Sequence, residues 1–124
     1  STFTQMPLAC AVASKVLDIY HQEQPWQWAA SNGAYLRQAL EGLGAQDARV
    51  VNVRGRGMML AFDFEGQGQG ADVLALRNRL LEHGVIVRTG GRNPATVKLT
   101  PPLSISQQEI QAFMQTLQGV CRSL

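Results

Sequence analysis

The amino-terminal third of the chain has a helical period. Apolar residues recur every three or four positions over residues 8–21, which predicts an amphipathic helix with Pro7 in its first turn. The stretch QEQPWQ interrupts this period. A second helix is predicted over residues 26–43, and Gly44 is a natural end for it.

After Gly44 the pattern changes to short apolar runs. RVVNV and MMLAFDF are rich in residues that favour strands, and the RGRG stretch between them predicts an antiparallel hairpin. GQGQG is typical of a surface turn, and ADVLALRNRLLEHG has the period of a third helix. VIVRT and TVKLT are predicted strands. Ser106 and Glu109 have the spacing of a capping box, which begins a last helix that keeps its period to Leu124.

The predicted order of elements is therefore α-α-β-β-α-β-β-α. The part after Gly44 combines four strands with two helices, which is typical of an α+β domain with an antiparallel or mixed sheet and helices packed on one face. A two-layer domain of this kind does not need the first helix. We interpret that helix as a connector to another domain, and we expect the chain to be part of a larger protein.

Composition narrows the classes of protein and partner. The chain has 124 residues, 45% of them hydrophobic, and a net charge of +2. This charge does not favour a nucleic-acid partner, and no apolar run is long enough to predict a membrane span. Cys10 and Cys121 stand far apart without metal-binding spacing, which predicts small core residues in a reducing, cytoplasmic environment.

Basic residues near the predicted strands are candidates for binding an anion. Arg54 and Arg56 alternate with glycines, so their guanidinium groups serve either an anion site or a solvated turn. Arg88, Arg92 and Lys98 lie on or near the last two strands. Together they form a candidate cationic patch for a small carboxylate, while each of them alone is typical of a surface charge.

The remaining polar residues are weaker candidates for a binding or catalytic site. Thr2 precedes the first helix, where a hydroxyl is either a phosphate contact or part of a helix-entry loop. His21 and His83 fall at helix carboxyl ends, where a cation suits the helix dipole. Asp63 and Glu65 share a strand face, but no second carboxylate pair opposes them, so general acid/base catalysis is not supported.

Three stretches taken together resemble one family. STF followed by PLACAVA, then VVNVRGRGMMLAFDF, then GVIVRTGGRNPATVKLTPPLSISQQEI are similar, in order and spacing, to the C-terminal third of class III (omega-type) aminotransferases. The resemblance covers essentially the whole chain. It implies the fold called type I, and the cofactor pyridoxal 5′-phosphate in the complete enzyme.

The resemblance also implies a division of the chain and two site residues. Residues 1–24 would be the end of a large domain with the connector helix, and residues 25–124 would be the small C-terminal α+β domain. Thr2 matches a threonine that contacts the cofactor phosphate of the neighbouring subunit in a homodimer. Lys98 falls where many members have an arginine that pairs with the substrate's carboxylate, although lysine lacks the bidentate fork.

The family's catalytic lysine lies upstream of this region, and neither Lys15 nor Lys98 matches it. The resemblance therefore implies a chain that cannot transaminate without the missing large domain. The complete enzyme would move an amino group from an amine or ω-amino acid, lysine- or diaminobutyrate-like, to a 2-oxo acid.

A free-standing α+β module that binds a small anion through Arg54, Arg56 and Lys98, without catalysis, is the alternative. The first helix discriminates between the two: a connector leaves its apolar residues exposed, whereas a self-contained module buries them.

Overall fold

The computed structural model describes residues 6–66, 68 and 71–124. Within them the helices and strands follow the predicted order. They are α1 Pro7–Glu23, α2 Pro25–Gln46, β1 Val50–Arg56, β2 Met59–Phe64, α3 Ala71–Glu82, β3 Arg88–Thr89, β4 Thr96–Leu99 and α4 Gln107–Ser123. The described part of the chain contains no helix with the length and apolarity needed to cross a bilayer.

The four strands form one sheet in the order β1-β2-β4-β3, with every neighbouring pair antiparallel. After β2 the chain passes through α3 to the edge strand β3 and then returns as β4, which inserts between β2 and β3. The predicted α+β class is confirmed, and of the two sheet types expected the antiparallel one is present.

One face of the sheet carries the hydrophobic core. Leu60 is opposite Leu99 and Phe62 is opposite Val97 across the β2–β4 pair, and all four side chains are buried. The same cluster includes buried residues of α2, α3 and α4, among them Leu36, Leu40, Leu43, Leu76, Leu80, Ile110 and Leu117. Helices therefore cover this face, as predicted, and the opposite face is called the open face below.

Helix α1 is different, because none of its residues is buried. Its apolar side is exposed to solvent, from Leu8 at 71% exposure to Ile19 at 37%. Cys10 is exposed on the same helix, so the prediction that it is a core residue was wrong. A helical period predicts which residues share a side of the helix, but it does not show what that side packs against.

The other cysteine is the small core residue that was predicted. Cys121 is buried on α4, and burial raises the pKa of its thiol to about 11. Next to it, the Arg49 guanidinium donates to both carboxylate oxygens of Asp47 and to the Cys121 carbonyl oxygen at 2.6 Å, and it stacks on the Phe64 ring. These contacts join the end of α2, the sheet and the last turn of α4.

The predicted strand VIVRT is mostly not a strand. Only Arg88 and Thr89 pair with β4. The Val85 amide donates to the Leu80 carbonyl at 2.8 Å and so closes the end of α3, and the side chain of Ile86 is 84% exposed. The start of this apolar run ends the helix instead of extending the sheet. The capping box of α4, by contrast, is present between Ser106 and Glu109 as predicted.

A close backbone contact explains the glycine in the middle of α2. A methyl group at Gly33 would overlap the Gly57 carbonyl in the β1–β2 turn, whereas one at Gly42 would have no heavy atom within 4 Å. We expect Gly33→Ala to lower the free energy of unfolding by about 2–3 kcal/mol, because backbone cannot move aside as a side chain can. Urea unfolding of the purified chain measures this.

Gly42→Ala is the matched control in the same helix. It should raise the free energy of unfolding by about 0.5–1 kcal/mol, through helix propensity alone. Equal effects of the two substitutions would show that the contact between Gly33 and Gly57 is unimportant for packing.

Candidate functional site

Cationic side chains form a row across the open face of the sheet. Arg54 on β1 is opposite Ala61 on β2, Ala61 is opposite Lys98 on β4, and Lys98 is opposite Arg88 on β3. Residues opposite one another in a sheet project to the same side. The row therefore places three cations on one surface, with only a methyl group between Arg54 and Lys98.

A bulge in β1 places Arg54 on this face. Val51 is opposite Asp63, but Arg54 is opposite Ala61, so β1 carries one extra residue between these two pairs. Asn52, within the bulge, has a positive φ of 52°, a conformation that asparagine tolerates better than most residues. Without the extra residue Arg54 would be opposite Leu60, on the core face, because a shift of one residue exchanges the two faces of a strand.

A buried carboxylate holds Arg54 in place. Asp63 is 3% exposed, and its Oδ1 accepts from Arg54 Nη2 at 2.8 Å and from the Thr96 hydroxyl at 2.7 Å. Arg54 Nη2 also donates to Thr96 Oγ1 at 3.0 Å, and Asn52 Nδ2 donates to Asp63 Oδ2 at 3.2 Å. Arg54 Nη1 donates to the Asn52 carbonyl at 2.8 Å. The guanidinium thus reaches across β2 to β4.

This network controls the charge of Asp63. Burial by itself raises the pKa of the carboxyl, but the hydrogen bonds from Arg54, Thr96 and Asn52 outweigh it and hold the pKa below its ordinary value. Asp63 is therefore ionised at neutral pH and compensates Arg54.

Lys98 is held differently. Its side chain is exposed, and within the described residues it makes no ion pair or hydrogen bond. A methyl group at Gly91 would stand 3.2 Å from Lys98 Nζ, so the ammonium lies over the glycine of the β3–β4 hairpin. The neighbouring Gly90 amide donates to the Thr96 carbonyl at 2.9 Å. The Lys98 ammonium therefore lies on the side of β4 that faces the β3–β4 hairpin.

Arg56 and Arg92, the two other basic candidates from the sequence, lie outside this row. Arg56 is two residues beyond Arg54 on β1, opposite the exposed Met59 near the turn. Arg92 is exposed in the β3–β4 hairpin loop, off the strands. Thr2 lies outside the described residues. Of the predicted cationic patch, then, the sheet pairs Lys98 with Arg88 and leaves Arg92 to the side.

The histidines do not belong to the open face. His83 Nδ1 is 2.8 Å from the Arg79 carbonyl just past the end of α3, which agrees with the predicted role at a helix carboxyl end. His21 is in the last turn of α1. Among the described residues no group of three His, Cys, Asp or Glu side chains is placed to hold a metal ion.

A cleft of about 650 Å³ opens beside residues 85–87, which connect α3 to β3. Its walls are largely apolar, with Ile86, Pro101, Pro102 and Phe113 among them, and Arg88 and Lys98 also line it. The end of the cationic row therefore adjoins an apolar space between the sheet and α4.

Replacement of Asp63 by asparagine tests the network. Asp63→Asn removes the charge that compensates Arg54, and we expect the free energy of unfolding near pH 7 to fall by about 1–2 kcal/mol, because solvent at the half-exposed Arg54 screens part of the pair. Because the pKa of Asp63 is lower in the folded protein than in the unfolded chain, its ionised carboxylate stabilises the fold at pH values above the unfolded pKa of about 3.9. This stabilisation is lost as the pH falls through the folded-state pKa. The difference between the two proteins should therefore shrink in acid.

Urea unfolding at neutral pH and at about pH 3 measures this effect. Asp18→Asn, on the exposed α1, is the matched control and should change the free energy of unfolding by less than about 0.5 kcal/mol at either pH. A loss for Asp63→Asn that is constant over this pH range would contradict the charge argument.

Comparison with known proteins places this chain in a family. The sequence model of the family described as Aminotransferase class-III matches residues 1–121. The chain belongs to the class III aminotransferases.

Relatives of this class III aminotransferase chain share substantial identity with it. It is 40% identical over 111 residues to an ornithine aminotransferase of Bordetella pertussis, covering 89% of this chain and 25% of that enzyme. It is 34% identical over 120 residues to a diaminobutyrate–2-oxoglutarate aminotransferase of Rhizobium meliloti, covering 88% of this chain and 26% of that enzyme. The chain thus spans about a quarter of the length of these curated relatives.

A solved structure agrees with the sequence relatives. A lysine aminotransferase from M. tuberculosis superposes with a TM-score of 0.76 at 33% identity, covering 85% of this chain and 23% of that one. Homologues in this family depend on pyridoxal phosphate, as the resemblance implied.

A covalent link to pyridoxal phosphate needs a lysine beside the aldehyde. The chain has two lysines, and both are exposed, Lys15 on the unburied α1 and Lys98 on the open face.

Proposed function

We propose that this chain is the small C-terminal domain of a class III aminotransferase, joined to its connector helix. Residues 1–24 would be the end of the large domain with the connector, and residues 25–124 the small domain. The exposed apolar side of α1 carries this proposal, since a helix with such a side needs a partner that covers it. The chain spans about a quarter of the length of the curated relatives it matches.

The reaction we propose is amino-group transfer from an amine or ω-amino acid to a 2-oxo acid. The names of the relatives support a lysine- or diaminobutyrate-like donor, because ornithine, diaminobutyrate and lysine each carry two amino groups. One of these names also specifies 2-oxoglutarate as the partner substrate. Pyridoxal phosphate would supply the electron sink for the transfer.

Lys98 would bind the substrate's carboxylate in the complete enzyme. It is exposed on the open face and has no ion-pair partner among the described residues, so its ammonium is available to a ligand. As a point charge it attracts a carboxylate without imposing the planar geometry of an arginine fork. Its role would be to bind and orient the substrate, not to exchange protons with it.

The remaining parts of the proposal concern assembly and location. Thr2 would contact the cofactor phosphate of a neighbouring subunit, which requires a homodimer. The cytoplasmic location predicted from the cysteines belongs to the same proposal. The rival module, which would bind an anion without catalysis, is less well supported, because a self-contained module should bury the apolar side of α1.

The proposal is tested by comparing this chain with the full-length gene product. Each is incubated with pyridoxal phosphate, dialysed, and assayed with ornithine, lysine or diaminobutyrate and 2-oxoglutarate. We expect the full-length protein to transfer the amino group and the 124-residue chain to show neither activity nor a retained cofactor band, because the anchoring lysine is elsewhere.

Two results would contradict this proposal. One is a full-length protein without aminotransferase activity on any of these donors. The other is a cofactor band in the short chain that borohydride fixes to Lys15 or Lys98, since that would place a cofactor anchor within this region.

A further inference from the structure

The cleft beside residues 85–87 has the size and lining of a small-molecule site. Its volume of about 650 Å³ falls within the range of about 300–1,000 Å³ that is typical of ligand pockets. Apolar side chains from three parts of the chain line it: Ile86 before β3, Pro101 and Pro102 after β4, and Phe113 on α4. Such a lining favours a ligand with an apolar body.

Ile86 leaves an aliphatic side chain in water at this cleft. Its neighbours Val85 and Val87 pack against the hydrophobic core, whereas the side chain of Ile86 is 84% exposed. A ligand in the cleft would cover part of this side chain. Covering it is favourable in proportion to the apolar area removed from water.

The charged residues that line the cleft leave an excess of one positive charge. Arg88 and Lys98 line it from the sheet, and Glu109 lines it from α4. Among the described residues neither cation has an ion pair within 4 Å. Glu109 is engaged in the capping box, where its Oε2 accepts from the Ser106 amide and hydroxyl at 2.7 Å each. The cleft therefore favours an anion with a single charge.

Arg88 is the cation that belongs to the cleft wall itself. It directly follows Val87, in a stretch of consecutive lining residues, and its side chain is exposed. The Lys98 ammonium lies instead over Gly91, a hairpin residue outside the lining. A guanidinium also offers two parallel N–H donors to one carboxylate. Arg88 is therefore the better partner for an anionic head group.

We propose that this cleft binds a small monocarboxylate with an apolar body. The carboxylate binds Arg88, and the apolar body lies against Ile86, Pro102 and Phe113. Every wall of the cleft belongs to this chain, so the inference goes beyond the proposed aminotransferase function and does not depend on it.

The experiment is an NMR titration of the 124-residue chain near pH 7.5, at constant ionic strength and below the concentration at which the chain associates. At this pH an ordinary histidine is neutral, so His83, which also lines the cleft, adds no charge. The probes are octanoate, butyrate and 1-octanol. Octanoate should bind about tenfold more tightly than butyrate, through its four additional methylenes. It should also bind about tenfold more tightly than octanol, which lacks the charged hydrogen bond.

Two substitutions separate the head group from the apolar body. Arg88→Gln should weaken octanoate binding about tenfold and leave octanol binding unchanged, because only the carboxylate needs the guanidinium. Ile86→Gln should weaken both ligands by the same factor, about threefold, because both have the same apolar tail. Both side chains are exposed, so neither substitution disturbs the core.

Matched controls remove the same groups outside the cleft. Arg122→Gln on α4 and Leu74→Gln on α3 should each change octanoate binding by less than about twofold. Lys98→Gln should weaken it by about threefold at most, since its charge acts from a distance. In the unmodified chain the Arg88 Nε–Hε and Ile86 methyl resonances should shift saturably with octanoate, and those of Arg122 and Leu74 should not.

Several results would overturn the assignment. These are an Arg88 variant that binds octanoate as the control does, a larger loss for Lys98→Gln than for Arg88→Gln, equal binding of octanoate and butyrate, or shifts confined to the exposed apolar side of α1. The titration contains no cofactor and no amino donor. Its failure therefore leaves the aminotransferase proposal intact, and failure of the enzyme assay leaves the titration result intact.

Discussion

Replacement of Lys98 by alanine in the full-length enzyme should lower kcat/KM for a carboxylate-bearing substrate by about ten- to a hundredfold. A charged hydrogen bond in a closed cleft is worth about 1.5–3 kcal/mol, against at most about 1 kcal/mol for a surface ion pair. Lys98 is exposed and makes no ion pair among the described residues of this chain. Closure by the large domain would desolvate its ammonium against the substrate.

Steady-state kinetics of the two half-reactions measure this effect. A simple amine donor without a carboxylate should react in its own half-reaction at nearly the unmodified rate. Arg92→Ala, in the exposed hairpin loop, is the control and should leave both half-reactions unchanged. Lys98→Arg keeps the charge but replaces the ammonium by a planar guanidinium, so it tests whether the site depends on the shape of the head group as well as on its charge.

Two outcomes would show that Lys98 is an ordinary surface residue. Either Lys98→Ala slows both donors equally, or it slows neither. In both cases another residue must bind the substrate's carboxylate. Lys98 then does not have the role of the arginine that many family members have at its position.

The second large effect concerns the 124-residue chain alone, which we expect to self-associate at high micromolar concentration. Leu8, Val12, Val16 and Ile19 follow one side of α1 and all are exposed, and Trp26 and Trp28 are exposed at the start of α2. Exposed apolar residues that share one side of a helix promote association in water. Sedimentation velocity should show an average mass above that of one chain.

The variant that tests this expectation replaces Leu8, Val12 and Ile19 together by glutamine. It should restore a monomer, because it removes the apolar side of α1 without touching the core. Leu81→Gln, on the exposed side of α3, is the control and should still associate. A clean monomer of the unmodified chain would count against a connector helix and would favour the free-standing module.

The sequence by itself determined the order and type of the elements. The helical period predicted α1 to α4, because the apolar residues that share one side of a helix recur every three or four positions. The capping box at Ser106 and Glu109 is equally local, and it is present as predicted. The ordered motifs also identified the family, and Lys98 and Arg88 were predicted on or near the last two strands.

Only the tertiary structure decided which face each strand residue occupies. The alternation of VVNVR gives no sign of the bulge at Asn52, because a bulge is defined by the partner strand. Arg54 meets Asp63 and Thr96, nine and 42 positions away along the chain, only once β4 has inserted beside β2. No local pattern reports such a meeting.

The helical period of α1 did not show whether a second surface covers its apolar side. The period was confirmed and the apolar side is exposed, as expected of a connector, whereas Cys10, predicted in the core, is exposed on the same helix. Apolar residues predict that a surface can be buried, but burial also needs a second surface to cover it. The sequence determines what each element can pack against, and the tertiary arrangement decides which of these surfaces find a partner.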